Sequence, residues 1–414
     1  MNDSRPLNNG SVYWPATLNH APEYPALRQR IFTRVAIVGG GLTGAICAAV
    51  LARAGIPAVL LEGGKAASSS TAASTGLIQY SNDIMLSKLA ERIGVVDAAA
   101  FYHECRLAVR ALHELASESE LDTGFQLRSS VYCASSDEDA SRLKREYDLL
   151  SKHGFPVDWG LPCRVGGAFP ELYPTALITY GDAELNPVRF THGMLAAASR
   201  CGALLFENTK VLDVRRRSGT FVLHGEHGEI VANHLVRATG YIPGIGSVSS
   251  SGSPDVKPVL KQTYALATSP GSLPSSWPDS YMMWETARPY FYFRTTPDGR
   301  IIAGGMDTDC PAPGRSSASL ESGTNLLLSK LTQLFPETAW EAEHAWCGTF
   351  GESEDDLPFL GEDSEQPGLF HALGCGGNGT VYGMIAANML KDHIRGQTHP
   401  LARLLNPRRA RMAV

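Results

Sequence analysis

The feature that most narrows the fold is a glycine turn set between two apolar segments. Val35-Ala36-Ile37-Val38 is a short, wholly apolar run of the kind buried on both faces of a parallel sheet. It runs into Gly39-Gly40-Gly41-Leu42-Thr43-Gly44, and a stretch with Ile46, Ala49, Val50 and Ala54 near helical spacing follows, ended by Gly55. Pro57 then leads to Ala58-Val59-Leu60-Leu61, a second strand closing on Glu62. In such a strand–turn–helix–strand unit the Gly39-x-Gly41-x-x-Gly44 spacing has a mechanical meaning. Gly39 permits the tight turn, Gly41 lets the backbone approach a pyrophosphate, and Gly44 lets the helix pack close on the strand. Leu42 and Thr43 lie between these glycines, where the positive end of the helix receives the phosphates. Glu62, eighteen residues past Gly44, can accept from both hydroxyls of an adenosine ribose. A carboxylate there repels a 2′-phosphate, which disfavours NADP.

A chain of 414 residues exceeds one comfortable core, so two domains are expected. With 43% hydrophobic and 19% charged residues and a net charge of -6, there is no basic surplus for nucleic acid. The most apolar stretch, 45–61, is broken by Arg53, Gly55 and Pro57, which excludes it as a membrane span. The opening MNDSRPLNNG shows no signal-peptide pattern. The 8 cysteines form no CxxC pair and the 12 histidines no HxxxH or HExxH pattern. A cytoplasmic protein with reduced thiols and no structural metal is the expectation.

Residues 1–30, rich in Pro, Asn and aromatics, read as an arm on the surface. Helices are expected over 84–93, 96–117 (with Phe101, Leu107, Val109, Leu112 and Leu115 roughly periodic), 137–150, 186–200, 319–334 and 379–394. Strands are expected over 204–206, 211–214, 235–240 and, aromatic-rich, within 281–305. The Ser/Gly/Pro-dense 245–258 reads as a crossover. The pattern predicts an α/β chain in which a Rossmann-like nucleotide-binding domain (31–120, 186–248 and 340–414) is interrupted by a mainly antiparallel substrate domain (121–185 and 249–339).

Other segments favour FAD over NAD alone. Gly374-Cys375-Gly376-Gly377-Asn378-Gly379 precedes an apolar helix that Thr380 helps open, with Met384, Ile385, Ala387 and Leu390 further along. Glycines let a flat ligand approach the backbone, and the helix N-terminus would stabilise charge on the N1–C2=O edge of a reduced flavin. The hydroxyl-rich 68–76, with Ser70, Thr71, Ser74, Thr75 and Gly76, offers donors to phosphates and ring. Thr239 and Gly240 close a strand where adenine-side contacts are expected, and Val211 joins the cofactor candidates. Without a ligand the same segments read as a packing turn, a loop and core strands.

Taken together, VAIVGGGLTGA (35–45), VLLEGG (59–64), NPVRFTHGML (186–195), LVRATG (235–240), RTTPDGRIIAGG (294–305), GTFGESEDDLPFLG (348–361) and ALGCGGNGTVYG (372–383) resemble the D-amino acid oxidase and glycine oxidase superfamily, which includes sarcosine oxidases and gamma-glutamylputrescine oxidase. The resemblance implies an FAD domain of the GR2 type assembled from separate segments, and an antiparallel sheet covering the flavin. It also implies oxidation of an amine or amino acid C–N bond to an imine, usually with oxygen as acceptor. There are departures. An arginine that holds the substrate carboxylate in several members is replaced by Gly348-Thr349-Phe350, and no lysine occupies Ile301-Ile302-Ala303, where sarcosine-oxidase relatives activate oxygen.

Arg294 matches another carboxylate-binding arginine, with a surface or interdomain ion pair as its alternative. Cys347 lies close to the site of covalent flavin attachment in some relatives, with simple packing as its alternative. Tyr290 and Tyr292 are candidates to touch substrate, His344 to polarise substrate or flavin, and Asp307 and Glu352 to receive a cationic amine. The expected function is therefore an FAD-dependent amine or amino acid oxidase. A dehydrogenase passing electrons to a quinone or carrier, a non-catalytic flavoprotein and an NAD-only dehydrogenase are the alternatives.

Overall fold

The computed structural model describes residues 7–162, 168–241, 259–277, 281–310, 317–373 and 376–409. The expected crossover at 245–258 lies outside the described residues, as do Gly374 and Cys375. Two sheets organise the rest.

The first sheet is built on parallel strands in the order Phe359–Glu362, Leu369–Leu373, Glu229–Arg237, Arg30–Val38, Ala58–Leu61 and Leu204–Phe206. The five inner-to-edge strands from Leu369 onward pair in parallel, and Phe359–Glu362 adds an antiparallel edge. Strands Asp213–Arg217 and Thr220–His224 branch from it as a hairpin, so the strand expected over 211–214 begins two residues later. Continuous apolar runs suit a sheet covered on both sides. Val35, Ile37 and Leu60 face the core that holds helices Leu42–Arg53, Pro187–Arg200 and Gly379–Ile394. Ala36, Val38, Val59 and Leu61 face a second cluster with Phe221, Leu223 and Ile230. Asn186 caps its helix by accepting from the N–H groups of Val188 and Arg189, which fixes where that helix begins. In the Val95–Ser117 helix the buried face carries Tyr102 and Cys105, while Leu107 is exposed.

The second sheet runs Asn8–Gly10, Ala342–Glu352, Val259–Thr268, Ile301–Asp309, Phe291–Thr295, Tyr281–Glu285, Gln126–Cys133, Ala176–Glu184 and Leu77–Ile78, with Val157–Trp159 on Ala176–Glu184. Its membership departs from the sequence division in three places. The arm contributes an edge strand, Leu77–Ile78 joins from within 31–120, and Ala342–Glu352 joins from within 340–414. The last is fixed by a ladder running from Val259 opposite Glu352 to Thr268 opposite Ala342.

Alternation gives this sheet two faces. Tyr264, Leu266, Phe291, Phe293, Ile301, Ala303 and Cys347 pack with Leu327 and Leu331 of the outer helix Ser317–Leu334. Ala265, Ala267, Ile302 and Trp346 pack on the opposite side with Trp14, Ala72 and Ala73. Near the strand end the register shifts between Gln262 and Tyr264, opposite Gly305 at φ +120 and Met306 at φ +55. This bulge re-aims the residues that follow.

One side chain fastens the two halves together. Arg294 is 2% exposed and donates from Nε to Thr75 O (2.8 Å), from Nη2 to Leu185 O (2.8 Å) and from Nη1 to Thr295 O (3.1 Å), with Glu184 Oε2 at 3.4 Å. Its guanidinium also lies 4.9 Å from the Trp14 ring. Burial pushes the Arg294 pKa down, and Glu184 opposes that shift. Removing Arg294 leaves three buried carbonyls without their donor and takes one of two arginines from Glu184, whose Oε1 keeps Arg128 at 2.9 Å. Arg294→Met is expected to lower unfolding stability by about 3–5 kcal/mol, read by denaturant titration against the parent chain.

Candidate cofactor and active site

The glycine turn has the close contacts that its spacing predicts. Gly39 adopts φ +115, and a Cβ on it would collide with Ala238 O. A Cβ on Gly44 would collide with Gly39 O, so only glycine lets the first helical turn sit on the strand end. A Cβ on Gly41 would lie 3.2 Å from Thr71 Oγ1. The Leu42 N–H donates to that hydroxyl at 3.0 Å, placing the 68–76 loop over the start of the helix. Leu42 and Thr43 form its first turn, whose N–H groups have no partners within the helix. Glu62 accepts from the Gly40 N–H at 2.7 Å and the Gly64 N–H at 2.8 Å, which holds its carboxylate beside the turn. Thr239 Oγ1 is buried without a hydrogen-bond partner next to this turn, and Gly240 follows at φ +58. Val211 packs with Leu61 and Phe206 beside Glu62. A cradle closed to any Cβ, an orphaned hydroxyl and a helix N-terminus suit a pyrophosphate-bearing nucleotide.

The C-terminal glycine motif converges on the same place. Gly376–Asn378 form a single 3₁₀ turn ahead of the Gly379–Ile394 helix, whose first turn includes Thr380. A Cβ on Gly383 would lie 3.3 Å from Thr43 Oγ1, so the two helices cross close to their N-termini. Asn378 is buried and donates to Gln79 O and Asn82 Oδ1, both at 2.9 Å. The hydroxyl loop lies opposite. Ser70 Oγ donates to Thr349 O at 3.2 Å, Ser74 Oγ accepts from the Gly76 N–H at 3.2 Å, and Thr75 Oγ1 meets the Tyr292 hydroxyl at 3.3 Å. Gly76, at φ +76, leaves room for Leu185 O and the Arg294 guanidinium. Ten of the sequence candidates are thus gathered around two helix ends: Gly39, Gly41, Gly44, Glu62, Thr71, Thr75, Tyr292, Gly376, Gly377 and Asn378.

Beyond this turn the large sheet presents a polar face. Tyr290 and Tyr292 stack at 5.7 Å, and Gly304 makes room for the Tyr292 ring, since any Cβ there would overlap it. Enclosure pushes both phenols above their ordinary pKa. Asp83 and Asp307 act on both tyrosines, and Glu352 lies near those two carboxyls. Asp83 Oδ2 accepts from the Gly377 N–H at 3.1 Å. Burial raises the Asp307 pKa, Thr263 and Tyr290 hold it down and Asp83 raises it; its Oδ1 has no close hydrogen-bond partner. Glu352 is pushed up to about 7 by burial and by Asp83, Asp307 and Asp356, against which Lys261 acts. Arg288 stands at the edge, 4.9 Å from the Tyr290 ring. Asp83 and Arg288 had no local signal in the sequence. Asp83 reads as a turn residue, and its partner lies 294 positions away.

Three candidates sit elsewhere. Arg294 is held by backbone carbonyls and Glu184, which makes it a brace and not a carboxylate clamp. His344 Nδ1 pairs with Ser11 Oγ at 2.9 Å and its ring packs edge-on to Tyr13 at 5.4 Å, under the arm. Cys347 belongs to the apolar layer with Tyr264 and Leu331, on the face opposite Trp346, and burial raises its thiol pKa. Among the described residues there is no cluster of three or more His, Cys, Asp or Glu suited to a metal, and no helix long and apolar enough to cross a membrane.

The chain is 24% identical over 411 residues to a probable oxidoreductase OrdL of Rhizobium meliloti, covering 96% of this chain and 91% of that one. It is 21% identical to gamma-glutamylputrescine oxidoreductase of Escherichia coli, covering 93% and 89%. Glycine oxidase of Geobacillus kaustophilus is 27% identical over 86% of this chain and 92% of its own. The crystal structure of that enzyme superposes with a TM-score of 0.75 at 24% identity, over 92% of this chain and 99% of the other. The family described as FAD dependent oxidoreductase (DAO) matches residues 34–393. The chain therefore belongs to the DAO family of FAD-dependent oxidoreductases.

Proposed function

We propose that this protein oxidises the C–N bond of a cationic amine to an imine, with FAD bound non-covalently and O2 as the acceptor that yields H2O2. The observation that carries the reading is the carboxyl cluster at the large sheet: Asp83 and Asp307 beside Tyr290 and Tyr292, with Glu352 close enough to both carboxyls for them to raise its pKa. Like charges in one cleft repel, so a bound cation relieves them. FAD, when bound, supplies the hydride acceptor. The residues of this chain do the rest. The carboxyls hold the ammonium, the tyrosines wall the cleft with aromatic faces suited to a cation, and desolvation lowers the amine pKa against the carboxylates, which raise it. The relatives support the class: one is named for gamma-glutamylputrescine and another for glycine.

Anaerobic mixing with a panel of amines should bleach the flavin spectrum, and admitting O2 should restore it with H2O2. Failure to reoxidise in O2, with recovery by a quinone, would make the protein a dehydrogenase. The placement of Cys347 behind the sheet predicts that acid precipitation leaves the yellow colour in the supernatant.

The sign of the pH dependence follows from Glu352. Its folded pKa is raised to about 7, so it is neutral below that pH and an anion above it. kcat/KM for a cationic amine should therefore rise as pH increases through about 7. Glu352→Gln should flatten that limb and raise KM about tenfold, the loss of one charged hydrogen bond.

A second reading rests on Arg288. Its guanidinium over Tyr290 can receive a carboxylate remote from the amine. If the substrate is an amino acid or an amino acid conjugate, Arg288→Ala should raise its KM about tenfold while leaving simple amines unaffected.

A further inference from the structure

We infer that the N-terminal arm, residues 7–18, is a working part of the FAD site: it fixes the 68–76 loop from behind in the conformation that receives the cofactor. The inference rests on the reading that this loop borders FAD. It comes from accounting for the loop's carbonyls: those of Ser68, Ser69, Ala73, Ser74 and Thr75 are fastened by side chains from distant segments.

Asn8 Nδ2 donates to Ser69 O at 2.9 Å and to Ser68 O at 3.2 Å. Trp14 Nε1 donates to Ser74 O at 2.6 Å. Trp346 Nε1 takes Ala73 O at 2.9 Å, Arg294 Nε takes Thr75 O at 2.8 Å, and the Leu185 N–H takes Gly76 O at 3.0 Å. In a trans peptide the carbonyl and the following N–H point in opposite directions. Fastening the Ser68, Ser69 and Ser74 carbonyls to the arm therefore turns the N–H groups of Ser69, Ser70 and Thr75 away from it. An anionic ligand needs donors, and these carbonyls would repel it if the loop rolled over.

The arm is itself well anchored. Asn8–Gly10 pair with Trp346–Gly348 as an edge strand, Trp14 is 3% exposed among Ala72, Ala73 and Trp346, and Thr17 accepts from Asn186 Nδ2 at 2.7 Å. Asn8 and Trp14 are thus positioning residues for the cofactor, acting through the loop.

The test is the FAD dissociation constant of the deflavinated protein, followed by quenching of flavin fluorescence, alongside the melting temperature of the apoprotein. Trp14→Phe keeps the ring and loses the donor, and should weaken FAD about tenfold. Asn8→Asp places a carboxylate against two carbonyls and should weaken FAD more than Asn8→Ala does. Each should lower FAD affinity by more than any fall in apoprotein melting accounts for, and deletion of residues 1–18 should weaken FAD further still. FAD affinity that is unchanged, or that falls only in step with apoprotein melting, overturns the inference. Glu62→Arg separates the two levels. If it loses FAD while the arm variants retain it, the arm has no role. If it too binds FAD like the parent, the cofactor placement fails and the arm's role with it.

Discussion

The architecture turns on a single buried cation. A guanidinium taken out of water is expensive unless each nitrogen finds an acceptor and a counter-charge lies close. Arg294 meets that condition with atoms from three separate parts of the chain: Thr75 in the hydroxyl loop, Leu185 and Glu184 at the end of one strand, and its own neighbour Thr295. These contacts lock the loop that leaves the nucleotide sheet against the sheet that faces it. Because the Gly76 turn closes onto both Leu185 O and the Arg294 guanidinium, no side chain fits there. The loop's position, and with it the lid of hydroxyls over the first helix, follows from that one satisfied charge.

Local chemistry made part of this legible in advance. The Val35–Val38 run, the glycine spacing and Glu62 form one short unit, and Gly39 and Gly44 prove to be needed by contacts with Ala238 and within that unit. The last helix was readable for the same reason, since its glycine-rich approach and apolar body are contiguous; it spans Gly379–Ile394 as expected. What failed were claims about which way a strand residue points. Cys347 and Trp346 are adjacent, yet they belong to opposite layers, and sequence proximity to a motif says nothing about that parity. His344 lies on the same strand, at the end covered by the arm. The bulge at Gly305 and Met306 adds a shift that only the pairing reveals.

Long-range partners were the other gap. Arg294 is recognisable as an arginine near a strand, but its role depends on an acceptor 219 positions away. Asp83 likewise meets its partner, the Gly377 N–H, only across 294 positions. The arm, read as surface wrapping, instead carries an edge strand and two of the donors that hold the hydroxyl loop. Composition rich in Pro and Asn cannot distinguish these cases, because a docked strap and a loose tail use the same residues.

The acidic cleft shows how opposing electrostatic demands can share a small volume. The N-terminus of the Gly379–Ile394 helix carries partial positive charge and favours an anion. Asp83 sits against it through the Gly377 N–H, so some of that field is already engaged by a protein carboxylate. Asp83 in turn raises the pKa of Asp307 and Glu352 across the cleft. Protonation of Glu352 near neutral pH is one way for the group to shed repulsion; acceptance of a cation is the other. Both draw on the same free energy, so a cation that binds must displace a proton that would otherwise be held. If the cleft takes the cationic amine proposed above, it discriminates by charge before it discriminates by shape, most sharply where Glu352 titrates.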